Sequence, residues 1–284
     1  MKTSYNKPMQ TSSFPIVIDD HFLPDKAHAL AQQLNLPLIS ESDTEKDTPL
    51  MKLGWYQDGN KSDSQTNEAD YKLALFPPNT GPVFVDFMSG KKNHRRQFGG
   101  GKGQPLARAV LAAEHPQIID ATAGMGGDAF VFASLGCQVT MVERSPIIAA
   151  LLNDALERVQ HTETPEEIQE IINRLSLINE DATKYLTAQA PVSDVVYLDP
   201  MYPEKKKKAA TKKEMQALQH LVGPDIDSEK LLAAALKVAQ KRVIVKRPKK
   251  APTLTGIQPN ASIQSPNTRY DIYAIKALKA AGKL

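Results

Sequence analysis

One stretch limits what this chain can fold into more than any other: Ile118-Ile119-Asp120-Ala121-Thr122-Ala123-Gly124-Met125-Gly126-Gly127-Asp128-Ala129-Phe130. A short apolar run ends in an acid, passes through small residues and glycines, and opens an apolar-periodic segment. That order predicts a buried parallel strand, a tight glycine turn and the N-terminus of a helix. Glycine takes backbone angles closed to other residues and lets a ligand approach the main chain. The helix start adds N–H groups without intrahelical partners. Such a turn holds the edge of a nucleotide-like cofactor.

Two cofactor classes use this architecture. Gly124, Gly126 and Ala129 fit the dinucleotide fingerprint G-x-G-x-x-G/A. Glu143 lies about 20 residues on, where a ribose-binding acid is expected. The same turn, preceded by Asp120, also resembles the first motif of S-adenosylmethionine-dependent methyltransferases. The turn alone leaves both open.

From about Pro105 onward, strand and helix patterns alternate. A helix over Pro105–Ala113 precedes the first strand, and Ala129–Leu135 is helical. Strands are expected at Gln138–Glu143, Leu175–Asp181, Asp194–Asp199, Arg242–Lys246 and Tyr270–Ala274, with helices at Pro146–Arg158 and Asp227–Gln240. Alternation of this kind implies an α/β fold with a doubly wound, mostly parallel sheet. The chain before it reads as a separate small α+β unit, dividing the protein at residues 1–80 and 81–284. There Phe14–Ile18, Leu53–Tyr56 and Tyr71–Leu75 are strand candidates, and Val83–Phe87 is a further one just beyond it. Asp25 is placed to cap a helix over Ala27–Leu34. No chemistry is visible in this unit, whose role is packing or substrate selection.

Four strands of the larger unit run into carboxylates: Asp120, Glu143, Asp181 and Asp199. In an open α/β sheet the ligand crevice lies beyond the carboxyl ends of the strands. Acids gathered there repel one another unless a ligand brings donors or positive charge. S-adenosylmethionine brings both: ribose hydroxyls for Glu143, an adenine amine for Asp181, and an ammonium and a sulfonium suited to the field of Asp120. The pyrophosphate of NAD is disfavoured by the same field. Taken singly, each acid reads equally well as a helix cap or turn residue.

The fourth of these strands runs into Asp199-Pro200-Met201-Tyr202-Pro203 and then Glu204 and Lys205-Lys206-Lys207-Lys208. This resembles the Asp/Asn-Pro-Pro-Tyr/Phe motif of methyltransferases acting on amine nitrogens, with Met201 in place of the second proline. An exocyclic amine conjugated to its ring is a poor nucleophile. Hydrogen bonds from it to the Asp199 carboxylate and the Pro200 carbonyl orient it and stabilise the charge that develops on nitrogen. Tyr202 is suited to stack on a flat base, which in a duplex must first leave the stack.

The charge distribution points to a polyanionic partner. Up to Leu75 there are 11 acidic against 7 basic residues, leaving 28 basic and 21 acidic in the remainder. Lys91, Lys92, His94, Arg95 and Arg96 lead, with Phe98, into a glycine-rich loop, a composition suited to clasping a phosphate backbone. Lys205, Lys206, Lys246 and Arg247 belong to two further basic stretches of the expected RNA surface. Cys137 is the single cysteine and excludes an internal disulfide. No apolar run has the length of a membrane span, and no signal sequence is evident. The expected setting is the cytoplasm.

Together these residues resemble the RsmJ family of 16S ribosomal RNA guanine-N2 methyltransferases, from roughly Phe87 to Tyr273. The resemblance is carried by His94-Arg95-Arg96, Asp120 to Gly124, Glu143-Arg144-Ser145-Pro146, Asp199 to Pro203, Lys212-Lys213-Glu214-Met215, Leu221 to Asp225, Lys246-Arg247-Pro248 and Arg269 to Tyr273. It implies a Rossmann-like class I methyltransferase sheet. It further implies cofactor contacts at Gly127-Asp128, Glu143-Arg144, Asp181-Ala182 and Asp199, with Gly127 standing where the family pattern has an arginine. The implied reaction is methyl transfer from S-adenosylmethionine to the N2 amine of a guanosine in 16S ribosomal RNA, free or in the small subunit, without metal or membrane. Asp199, Pro200 and Tyr202 would hold the base. The competing readings are a NAD-dependent oxidoreductase and a non-catalytic RNA-binding protein on the same scaffold.

Overall fold

The computed structural model describes residues 16–21, 23–39, 51–57, 70–78, 80–88, 101–161, 164–188, 193–201, 221, 227–254 and 256–284. The chain divides into two compact units.

The first carries β1 (Ile16–Asp19), α1 (Pro24–Leu34), β2 (Leu38–Ile39), β3 (Met51–Gln57), β4 (Tyr71–Phe76) and β5 (Val83–Phe84) in a sheet of order β2-β1-β3-β4-β5. β1 runs parallel to both β2 and β3, while β4 and β5 are antiparallel. α1 buries Ala27, Leu30, Ala31 and Leu34, the i, i+3, i+4 and i+7 stripe that drives an amphipathic helix onto its sheet. Asp25 does not cap it. The helix starts at Pro24 after Leu23, so Asp25 falls inside the first turn and acts only through the helix dipole. Val83 pairs with Leu75 and Phe84 with Ala74, which joins β5 to this sheet.

The second unit holds α2 (Pro105–Ala109), β6 (Gln117–Asp120), α3 (Gly127–Ser134), β7 (Gln138–Glu143), α4 (Pro146–His161), α5 (Glu166–Ile172), β8 (Leu175–Asn179), α6 (Ala182–Ala188), β9 (Ser193–Leu198), α7 (Ser228–Val238), β10 (Ala239–Pro248), β11 (Ala261–Gln264), β12 (Thr268–Ala274) and α8 (Ile275–Ala280). Its seven-stranded sheet has the order β11-β12-β10-β9-β6-β7-β8. Strands β10, β9, β6, β7 and β8 are mutually parallel, and β12 is antiparallel to β10 and β11. This is the doubly wound, Rossmann-like sheet. The chain builds outward from β6 through β7 to β8, then returns to lay β9 on the other side of β6. The switch in strand order therefore falls between β6 and β9, where such folds bind ligands.

The central strands are buried on both faces, with Ile118, Ile119, Val139, Met141, Val195, Val196, Val243 and Val245 all in the core. Phe130 stacks on Phe87 at 5.2 Å and Phe132 meets Tyr197 edge-on at 5.0 Å. Gly126 has φ +67°, and a Cβ there would lie 2.9 Å from Leu152 Cδ2 and 3.3 Å from Phe87 Cζ. Only glycine fits that point between α4 and the Phe87–Phe130 stack. Among the described residues no helix is long and apolar enough to cross a membrane.

Candidate active site

Register places the functional side chains. Asp120 ends β6 level with Tyr197 of β9, and Leu198 is level with Val245 of β10. One step further along each strand, Asp199 and Lys246 are neighbours at the carboxyl edge. The backbone N–H of Asp199 donates to Thr122 Oγ1 at 2.6 Å, which joins the loop after β9 to the turn after β6. Lys246 Nζ donates to Asp199 Oδ2 at 2.8 Å and to Asp128 Oδ2 at 2.7 Å. Tyr197 Oη also donates to Asp128 Oδ2, at 2.7 Å. One ammonium thus bridges a carboxylate at the start of α3 and another after β9.

The electrostatics follow from burial. Asp120 is buried, with Oδ1 accepting the Thr122 N–H. Its carboxyl is pushed up to about 8, first by desolvation and then by the nearby Asp128 and Asp199. That shift favours the protonated form at neutral pH. Burial works to lower the Lys246 ammonium, but Asp199 and Asp128 outweigh it and hold the group above its usual range. Burial, then Asp128, raises the Tyr197 hydroxyl, so it stays a donor. With Asp120 neutral, Asp128, Lys246 and Asp199 sum to one net negative charge.

The Asp120 shift predicts a pH effect on stability. Its carboxyl keeps a proton up to about 8 when folded, against an ordinary value of 3.8. Between those values the folded state binds more proton than the unfolded one, so this contribution is complete at low pH and is lost as pH rises toward 8. Asp120→Asn cannot ionise and escapes the loss. Its stability advantage over the parent is expected to widen from pH 5 to pH 8, by at most about 1.4 kcal/mol per pH unit, and to level off above. Thermal melts of both proteins across that range give the comparison; parallel curves would refute it.

Glu143 ends β7 and is buried. Its Oε2 accepts the Gly124 N–H at 2.9 Å and its Oε1 the Ser145 N–H at 2.7 Å. The carboxylate therefore holds the glycine turn from the neighbouring strand. Gly124 has φ +53°, and space for a Cβ is open at Gly127. An open main-chain turn, a carboxylate beside it and one net negative charge fit a ligand with ribose hydroxyls and a sulfonium. They oppose a pyrophosphate. Glycines 124, 126 and 127 and Glu143 are residues that could hold such a cofactor.

Other expected site residues fall differently. Asp120 is turned into the protein and neutral, so it serves the turn and offers no field to a ligand's cation. The Asp128 side chain is taken up by Tyr197 and Lys246. Asp181 lies before α6, where Oδ1 accepts the Lys184 N–H at 3.0 Å: this acid is a helix cap. Ala182 is the first residue of that helix. Arg144 Nη1 lies 3.6 Å from Asp227 Oδ1, a half-exposed pair. Pro200 is buried directly after Asp199.

Two expected RNA contacts are corrected. Lys246 points into the acid cluster. Arg247 is buried, donating Nε and Nη2 to the Pro252 carbonyl at 3.2 and 3.1 Å, and so braces the turn after β10. Tyr202, Lys91, Lys92, His94, Arg95, Arg96, Lys205 and Lys206 lie outside the described residues. Sequence reasoning misses Thr122, Tyr197 and the inward role of Lys246. A lysine directly after Val243-Ile244-Val245, at the edge where the acids gather, is the signal that could have found the last of these.

Comparison with known proteins agrees with this geometry. Residues 56–275 match the SAM-dependent methyltransferase family model. The chain is 85% identical over 276 residues, 97% of its length and 100% of the relative's, to the ribosomal RNA small subunit methyltransferase J of Hydrogenovibrio crunogenus. It is 47% identical to the protein of that name from Aeromonas salmonicida, covering 76% of this chain and 92% of that one. Among solved structures, a SAM-dependent methyltransferase from Neisseria gonorrhoeae superposes with a TM-score of 0.66 at 30% identity, covering 91% of this chain and 95% of that one. These matches overturn the dinucleotide reading of the glycine spacing.

Proposed function

The chain belongs to the SAM-dependent methyltransferases, in the ribosomal RNA small subunit methyltransferase J family, and from that premise we propose that it methylates the exocyclic N2 amine of a guanosine in small-subunit ribosomal RNA. Bound at the glycine turn, S-adenosylmethionine supplies an electrophilic methyl group. The chain's own residues do the rest by holding the acceptor. Asp199 accepts an N–H of the guanine amine, the Pro200 carbonyl accepts the other, and the nitrogen lone pair is left facing the methyl carbon. As the amine attacks, positive charge grows on nitrogen beside the Asp199 carboxylate, which stabilises it. The proton leaves after transfer, so no strong general base is assigned. Tyr202 stacks on the base, and the basic stretch from Lys91 to Arg96 carries backbone phosphates.

The observation that supports this most is the placement of Asp199. It lies at the strand-order switch, its N–H on Thr122 and its carboxylate on Lys246. The test is incubation with labelled S-adenosylmethionine and small-subunit RNA from cells lacking the activity, followed by nucleoside analysis. Label is expected in N2-methylguanosine. Label in another nucleoside would reject guanine N2, and RNA binding without any incorporation would favour the non-catalytic reading.

A further inference from the structure

The ammonium of Lys246 lies at the site beside the carboxylate of Asp199, yet it has no direct contact to make with the target amine. It emerges at the carboxyl end of β10, a strand whose preceding residues Val243, Ile244 and Val245 are fully buried. Lys246 follows the last register pair with β9, Val245 opposite Leu198, and its ammonium reaches Asp199. Its side chain is 25% exposed, that of Asp128 10% and that of Asp199 40%. The pair is thus anchored on its inner side at Asp128, itself held by the Tyr197 hydroxyl, and opens toward solvent at Asp199. A lysine serving only as a surface ion pair gains little, because ordering its long chain offsets the attraction. Here two carboxylates, Asp128 at the start of α3 and Asp199 after β9, converge on it.

We infer that Lys246 is a positioning residue for methyl transfer: anchored by Asp128, it fixes the orientation and the charge of the Asp199 carboxylate that receives the target amine. This rests on the reading of Asp199 as the amine acceptor. Orientation comes from the hydrogen bond to Oδ2, which removes rotation of the carboxylate about its Cβ–Cγ bond. Charge comes from the count of groups. Titratable groups that face Asp199 among the described residues include Asp120 on β6, Asp128 on α3, Tyr197 on β9 and Lys246 on β10. Without the ammonium, Asp128 and Asp199 face each other as like charges, and one is driven to take up a proton. A protonated Asp199 loses its charge and gains a donor where an acceptor is needed. Lys246 prevents that.

The test compares Lys246→Met, Lys246→Arg, Asp199→Ala and the Lys246→Met/Asp199→Ala double variant in the full chain. The readouts are kcat for RNA methylation from pH 6 to 9, S-adenosylhomocysteine affinity by calorimetry, and the NMR titration of the Asp199 side-chain carboxyl carbon in ligand-free protein. Lys246→Met is expected to lower kcat about 30-fold, the loss of one hydrogen bond between charged groups. It should move the acidic limb of the pH profile and the Asp199 titration upward together, and leave the affinity for S-adenosylhomocysteine within about threefold. Lys246→Arg should restore part of both. In the Asp199→Ala background the second substitution should cost nothing more.

An unshifted Asp199 titration in Lys246→Met would overturn the assignment, as would an equal loss of kcat in the Asp199→Ala background. If Lys246→Met does not fold, Lys246→Arg and a Lys246→Gln variant carry the same readouts. Failure of the parent protein to methylate RNA would reject the proposed reaction but leave the Asp199 titration to judge Lys246 by itself.

Discussion

Asp199→Ala is expected to lower kcat for RNA methylation about 1,000-fold at saturating S-adenosylmethionine, the scale set by removing a charged group aimed at the reacting atom. Two effects combine. The amine loses the acceptor that orients its lone pair, and the site loses its net negative charge. With Asp199 present, Asp128, Lys246 and Asp199 total one negative charge; without it, Lys246 and Asp128 cancel and no net field favours the ammonium-like nitrogen. Asp199→Asn keeps an acceptor oxygen but loses the charge, so its rate should lie between the two. The fold should be indifferent. The Asp199 side chain is 40% exposed and Lys246 keeps its bond to Asp128, so the stability change should stay under about 1 kcal/mol. Single-turnover methyl incorporation beside a thermal melt separates the outcomes. Activity within tenfold of the parent would remove Asp199 from the mechanism.

Much of this site is legible in the amino-acid sequence alone, and the reason is local. Four of the five parallel strands are short apolar runs punctuated by an acid, so chain order by itself puts Asp120, Glu143 and Asp199 on one sheet edge. What those acids do depends on neighbours that are distant in sequence. Asp181 follows the same pattern as the others, yet on the outer strand β8 its Oδ1 also caps the next helix, a contact the strand pattern does not show. Lys246 and Arg247 are adjacent cations in the sequence and resemble one basic surface. Strand alternation sends them to opposite faces, one onto the acids beside β9 and the other beneath the turn at Pro252. Asp120 reads as a charge for the ligand because burial is invisible in a sequence, and burial is what neutralises it. The strand Ala261–Gln264 is not foreseen because it is mostly exposed and carries little apolar signal, its pairing with β12 supplying what its composition does not. Helix Glu166–Ile172 carries its signal in Ile168, Ile171 and Ile172, all buried.

The second large effect is expected at Glu143, and it differs in kind. Both carboxylate oxygens of Glu143 accept main-chain N–H groups, from Gly124 and from Ser145. An amide offers one acceptor, so Glu143→Gln turns its NH2 toward one of those donors. A buried N–H is then left without a partner, at a cost of about 1–3 kcal/mol in stability, and the glycine turn is released from β7. The neutral amide is also a weaker acceptor for the two ribose hydroxyls that Glu143 is expected to receive. Losing two hydrogen bonds to a charged group predicts a rise of about 100-fold in the dissociation constant for S-adenosylhomocysteine. The rate at saturating cofactor should change little, because Glu143 touches neither the amine nor the methyl carbon. Glu143→Gln is therefore a binding variant and Asp199→Ala a rate variant, and calorimetric titration beside saturating kinetics distinguishes them. If affinity holds while stability falls, Glu143 braces the turn and the cofactor's ribose is held elsewhere.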